Sequence, residues 1–125
     1  MSQLAKKHTD LDVYRRAFDL ACRIFTISQG FPKAETYSLT DQVRRSSRSV
    51  CANLAEGWRR RQYEADFVHK LGVSEAEAAE TQVWLEFAFK SGYMAVELAK
   101  ELHDEYDIVI GQLVTIRRNA ASFCH

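Results

Sequence analysis

Six arginines are the side chains best suited to act on a partner. Arg44, Arg45 and Arg48 recur so that 44/48 and 45/48 would be surface neighbours on a helix, and Arg59, Arg60 and Arg61 follow as a run beside Trp58. Guanidinium groups pair with phosphate bidentately, and an adjacent aromatic ring can stack on an unpaired base, so this set suits RNA. The same residues equally suit a solvated helix face salt-bridged to acidic neighbours. A second group is Asn53, Glu56, Glu77 and Thr81. Asn53 and Glu56 follow Val50 at steps of three, near the core-facing edge of a helix, where polar groups need partners. Glu77 and Thr81 could supply them, so the expectation is a buried polar network that sets helix register.

Other chemistries find little footing. A Glu56–Glu77 acid–base pair has no nucleophile, metal ligand or histidine in relation to it, so no catalytic residue is assigned. His8, His69, His103 and His125 show neither HExxH nor zinc spacing, and Glu77-x-x-Glu80 lacks the histidine of a di-iron bundle. With no glycine-rich phosphate loop either, neither a metal nor a cofactor is expected. Cys22, Cys51 and Cys124 are odd in number, with no CxxC. Cys22 and Cys51 read as small buried hydrophobes, and Cys124 as an exposed free thiol.

Four amphipathic segments must position these residues. The first helix is expected from about Leu11 to Gln29, capped by Thr9 or Asp10. Its apolar rows are Leu11, Tyr14, Phe18, Ala21, Phe25 and, beside them, Val13, Ala17, Leu20, Ile24, Ile27. Gly30-Phe31-Pro32 stops it. Ser38-x-x-Asp41 resembles a capping box that opens the second helix, with Leu39, Val43, Ser46, Val50 and Leu54 as its stripe and Gly57 as a natural end. The third helix, about Tyr63 to Ser91, would be about 43 Å long at 1.5 Å per residue. Phe67, Leu71, Ser74, Ala78, Thr81, Leu85 and Ala88 keep a strict 4-3 alternation along it, and Gly92 reads as its C-cap. The last helix spans roughly Ala95 to Ser122, with Leu98, Leu102, Tyr106, Val109, Leu113, Ile116 and Ala120 facing inward. Gly111 within it implies a close-passing backbone. Short joints between such helices make an all-α, antiparallel up-down-up-down four-helix bundle. One domain covers 1–125, with an ordered core at about 10–122.

The third helix carries more apolar surface than one seam needs. Gly72, Ala76, Ala79, Val83 and Phe87 form a second row, which is either the edge of a broad core stripe or an oligomer interface on Ala76, Ala79, Val83 and Phe87. Charge is equally patterned. Residues 1–62 hold 12 Lys and Arg against 6 Asp and Glu, a net +6, and residues 63–125 hold 5 against 11, a net −6. Opposite halves suit helices or subunits that attract one another, and the zero total argues against indiscriminate coating of nucleic acid. No apolar run approaches the roughly 18–20 residues of a membrane span. Nor does MSQLAKKHTDLD contain an apolar signal core, so a cytoplasmic chain without membrane contact is expected.

Several separated motifs carry a family resemblance. The run from Arg48 to Arg60, RSVCANLAEGWRR, is similar to the SIxxNIAEGxxR signature of small bacterial four-helix-bundle proteins encoded by intervening sequences within 23S ribosomal RNA genes. Leu39 to Arg45 resembles that family's LTxQxRR run. Asp66-Phe67 to Leu71 with Glu77-x-x-x-Thr81-Gln82 resembles its third helix, and Ser91-Gly92-Tyr93 its LGY. The match extends from about Leu11 to Phe123. Leu54 replaces the signature isoleucine, a volume-conserving change. The resemblance implies a homopentamer without established enzymatic activity. It also implies kinship with the accessory proteins of diversity-generating retroelements, strongly basic pentamers that act with nucleic acid and a reverse transcriptase; this chain differs in having no net charge. Two functions follow as expectations. One is an oligomeric bundle holding ribosomal or other RNA through the six arginines; the other is an adaptor ring that recruits a protein partner.

Overall fold

In the computed structural model, residues 5–124 are described. They form four helices, α1 (Asp12–Ser28), α2 (Leu39–Arg59), α3 (Glu64–Lys90) and α4 (Val96–Arg118), with short 3-10 turns at His8–Asp10, Lys33–Glu35 and Ala120–Phe123. No strand occurs among the described residues. Contacts pair α1 with α2 and α4, and α3 with α2 and α4. Cross-helix partners run in opposite directions along each pair: Arg16 meets Glu105 while Arg23 meets Glu101, and Arg45 meets Glu77 while Glu56 meets Lys70. The bundle is therefore antiparallel, each helix beside its neighbours in sequence.

The 4-3 row of α3 is its entire buried set, Phe67, Leu71, Ser74, Ala78, Thr81, Leu85 and Ala88. Leu39, Val43, Ser46, Val50 and Leu54 of α2 face them, together with Leu102, Tyr106, Val109 and Leu113 of α4. Each buried large aliphatic side chain stabilises the fold by about 1.5–3 kcal/mol. On α1 only one of the two apolar rows turns inward. Val13, Ala17, Leu20 and Ile24 are buried, whereas Phe18 is 52% and Phe25 40% exposed. A single helix can bury only a limited arc, and the second row lies outside the line of contact with α4.

Local signals worked differently from their sequence reading at four points. Leu11, not Thr9 or Asp10, is the N-cap of α1, and Asp10 instead accepts the backbone N–H groups of Lys6 and Lys7. Ser38 precedes α2 but forms no capping box. Its hydroxyl donates to Glu35, whose carboxylate also accepts the N–H of Leu39 and the hydroxyl of Tyr93. Gly57 does not end α2. It lies buried inside the helix, where a Cβ would stand 2.9 Å from Cβ of Lys70 on α3. Gly111 is exposed with nothing near its absent side chain, so no backbone passes it. Gly92, by contrast, does close α3. At φ +83° it allows Tyr93 to donate to Ala88 and its own N–H to reach Phe89, which satisfies the last carbonyls of the helix.

The two helical glycines should respond oppositely to alanine. Gly57→Ala gains helix propensity but forces backbone-level crowding against Lys70, and is expected to destabilise by about 1–3 kcal/mol. Gly111→Ala meets no obstacle and should stabilise by roughly 0.5–1 kcal/mol; paired denaturant titrations check both signs. Glu35 supplies a pH test. The hydroxyl of Ser38 first, then that of Tyr93, holds its carboxyl below the ordinary value of 4.5. Its contribution is present above that ordinary value and is lost as pH falls through the lowered one. Unfolding midpoints of Glu35→Gln measured from pH 6 to 3 should show a shallower acid loss than the parent.

Candidate functional site

The six arginines do not form one surface; α2 and the turn after it distribute them among three environments. Arg45 faces α3, where its guanidinium reaches Glu77 at 3.2 Å and also pairs with Glu80. Arg44 and Arg48 face α1. They sit over the Phe25 ring at 4.6 and 5.8 Å from its centroid, and Arg44 donates to the Ser28 hydroxyl at 2.8 Å. Arg59, Arg60 and Arg61 occupy the far end, about 20 Å along α2 at 1.5 Å per residue. Arg60 is bound to Asp66 at 2.9 Å. Arg61 lies on the Trp58 ring, 4.3 Å from its centroid, and donates to the Trp58 carbonyl.

Trp58 is part of the core, not a platform for a base. It is 2% exposed, its indole N–H donates to the Lys6 carbonyl at 3.2 Å, and Phe67 and Phe123 meet it edge-on. Anchoring the indole draws the amino-terminal segment over the end of the bundle. Exposed Lys6 and Lys7 thereby join Arg59, Arg60 and Arg61, and exposed Arg118 ends α4 at the same pole. Among the described residues Lys6, Lys7, Arg59, Arg61 and Arg118 form no salt bridge. The lysines and Arg118 were not foreseen from the sequence. Nothing in local spacing links residues 6, 59 and 118; only the Trp58 bond and the antiparallel helix order do.

The expected polar network is divided into separate parts. Thr81 donates to the Glu77 backbone carbonyl and shares a 2.8 Å hydrogen bond with the Ser46 hydroxyl, while buried Ser74 donates to the Val50 carbonyl. Asn53 turns back on its own helix to Ser49. Glu56 is taken by Lys70 at 2.8 Å and Glu77 by Arg45, so these carboxylates belong to different ion pairs. The register-setting hydroxyls are Ser46, Ser74 and Thr81. Small polar residues within the seam were the available signal, and the longer side chains of Asn53 and Glu56 reach away from it.

Two apolar grooves lie on opposite flanks. The α1/α2 groove, about 580 Å³, is bordered by Tyr14, Phe18, Cys22, Phe25 and Arg48 with Cys51 at its floor. Cys22 is thus exposed, contrary to its reading as a core residue, because it belongs to the outward row of α1. The α3/α4 groove, about 520 Å³, includes Ala79, Val83, Glu86, Val96 and Ala99. Ala76, Ala79, Val83 and Phe87 are all exposed, outside the core; Val83 is 44% and Phe87 56% exposed, the latter with its ring against Trp84.

Burial pushes the Cys51 thiol up to about 12, and the half-buried Cys124 thiol is raised also, the reverse of what a thiolate nucleophile requires. His103, Asp104 and Asp107 can bring ligand atoms within 4.8 Å of one another. All three are exposed, and the carboxylates already accept from Lys100 and Gln82. His125 lies outside the described residues. No helix among those described is long and apolar enough to cross a membrane.

The class these features define is an all-α bundle with a cationic pole and two uncovered apolar flanks. The chain belongs to the 23S rRNA-intervening sequence protein family, which matches residues 9–115. Its backbone is similar to a crystal structure from Bacteroides thetaiotaomicron described as a protein with unknown function from the S23 ribosomal protein family. The two share 26% identity with a TM-score of 0.76, over 84% of this chain and 97% of that one. No curated protein matches. Neither match is to a known enzyme family.

The thiols provide a direct check of this packing. Cys51 should resist a maleimide at pH 8 in the folded protein and react completely once denaturant unfolds it. Rapid native-state labelling of Cys51, located by peptide mass, would contradict the closed floor of the α1/α2 groove.

Proposed function

We propose that this chain is a non-catalytic, ring-forming bundle, a homopentamer as in the proteins it resembles, that holds RNA at its cationic pole. The observation that supports the reading is the gathering of Lys6, Lys7, Arg59, Arg61 and Arg118 at one end, without a carboxylate partner among the described residues. Arg45 and Arg60, in contrast, are already neutralised by acids of α3. RNA contact through free cations releases counterions, and that supplies affinity even to a chain with no net charge. In a ring built around an axis along the bundles, every pole faces the same side. Several modest contacts then act together through a raised effective concentration. Ribosomal RNA or its precursor is the substrate class that the family's name favours.

The test is retention of a labelled 23S rRNA fragment by the parent and by a Lys6→Gln/Lys7→Gln/Arg59→Gln/Arg61→Gln variant. The variant should stay helical by circular dichroism and lose most of its binding. The slope of log affinity against log salt should flatten by about 3, since each single-strand phosphate contact contributes roughly 0.7. Unchanged binding and slope would remove the pole as the site. A parent protein that purifies free of nucleic acid but with a stoichiometric protein partner would instead identify an adaptor.

A further inference from the structure

We infer that the RNA held at the cationic pole is single-stranded, and that Tyr63 is the platform on which one of its bases stacks. The inference rests on the pole reading above and names the class of RNA that the pole takes. Trp58, the aromatic residue beside the arginine run, is enclosed in the core and cannot receive a base. Tyr63 stands 57% exposed in the turn between α2 and α3, and it pairs with no aromatic ring among the described residues. The other large exposed aromatic side chains lie elsewhere: Phe18, Phe25 and Phe87 on the flanks, and Tyr37 before α2, at the opposite end. Backbone bonds hold Tyr63 in place. Its N–H donates to the Arg60 carbonyl at 2.8 Å, a tight turn that brings the two Cα atoms to within about 7 Å. Its carbonyl accepts from Phe67 at 3.0 Å, which ties it to the first turn of α3. An open ring therefore stands on an ordered backbone beside guanidinium groups that suit phosphate.

A ring in this position selects unpaired over paired RNA. In a duplex the faces of the bases are covered by their neighbours, and the deep, narrow major groove hides their edges. Every unpaired base, by contrast, offers a π-face to an aromatic side chain. Gln62, exposed between Arg61 and Tyr63, adds an amide that can donate to and accept from a Watson–Crick edge, which an unpaired base leaves open. Charge around the ring favours the same choice. Acids stand among the cations of the pole: Asp10 accepts the N–H groups of Lys6 and Lys7, and Glu64 and Asp66 lie in the first turn of α3. Arg60 neutralises Asp66, while Glu64 is exposed. Two fixed rows of duplex phosphates would be pressed against these carboxylates. A flexible strand can pass between them and meet the free cations alone. Lys6, Lys7, Arg59, Arg61 and Arg118 then hold the backbone while Tyr63 holds a base.

Fluorescence anisotropy with a labelled RNA strand of about 12 nucleotides, alone and annealed to its complement, tests this. The parent should hold the single strand about tenfold or more tighter than the duplex. Tyr63→Ala should weaken binding of the strand about 5- to 100-fold, the range that loss of one stacked ring gives, and Tyr63→Phe, which keeps the ring, should stay within about twofold of the parent. Stacking releases no counterions, so the slope of log affinity against log salt should be the same for Tyr63→Ala and the parent, unlike the flattening expected of the lysine and arginine variant. The Tyr63 side chain makes no capping hydrogen bond to α3, so helicity should be retained. Should Tyr63→Ala unfold nonetheless, a strand of abasic nucleotides replaces it, and the parent should bind that strand about fivefold or more weaker than the intact one. Equal or tighter binding of the duplex overturns the single-strand assignment. Full-strength binding by Tyr63→Ala, or of the abasic strand, overturns the platform. In both cases binding that still falls in the Lys6/Lys7/Arg59/Arg61 variant leaves the pole itself standing. A parent that holds neither form of RNA overturns both readings.

Discussion

Close contact between α2 and α3 is the constraint on which the remaining geometry depends. Gly57 lets the two helices approach until a Cβ would collide with Lys70, and Ser46, Ser74, Ala78 and Thr81 keep the seam narrow along its length. Such proximity leaves buried hydroxyls that must be satisfied. Ser74 finds the Val50 carbonyl and Thr81 the Ser46 hydroxyl. Sliding one helix by a turn would take the Val50 carbonyl from Ser74, at a cost of about 1–3 kcal/mol, while Thr81 would keep only the Glu77 carbonyl of its own helix, so these contacts favour the observed register. That register sets Arg45 beside Glu77 and Glu80, sets Lys70 beside Glu56, and delivers the α2–α3 turn with its three arginines to one pole.

Electrostatics then orders the helices more than it stabilises them. Part of the positive excess of the first half is met inside the subunit: Arg16 and Arg23 of α1 pair with Glu105 and Glu101, Arg45 pairs with Glu77 and Glu80, and Arg60 pairs with Asp66. These pairs are partly exposed, and such pairs are worth about 0–1 kcal/mol each. Their collective effect is to favour the observed helix faces over mispaired ones, since turning Arg45 of α2 away from α3 would leave Glu77 and Glu80 without their cation. The charge left over is unevenly placed: a cationic pole, an arginine-edged apolar flank, and an opposite flank bordered by both Glu86 and Lys100. A chain without net charge can in this way present surfaces of distinct electrostatic character.

Much of the fold was legible in the order of residues. The seven-residue seam of α3 is its buried set without exception, and the inward stripe of α2 and the glycine closing α3 behave as their spacing implies. The family was legible as well, because its motifs are local runs on α2 and α3, within the residues 9–115 that the family matches. The candidate surfaces were less so. The arginine cluster reads as a unit in one dimension, yet positions 44, 45 and 48 point to different neighbours, and Trp58 is buried beside the arginines it appeared to assist.

The sequence by itself determined four amphipathic helices and the residues of their central seam, carried by spacing of three and four along single segments, and the membership of a family, carried by local motif runs. Tertiary structure decided which of two apolar rows on α1 entered the core, which cations kept a free charge, and that residues 6, 59 and 118 share a pole. The reason is physical. Periodicity states that a helix has an apolar side, but how wide an arc is covered, and which ion finds a counterion, depends on the distance and rotation of the neighbouring helix.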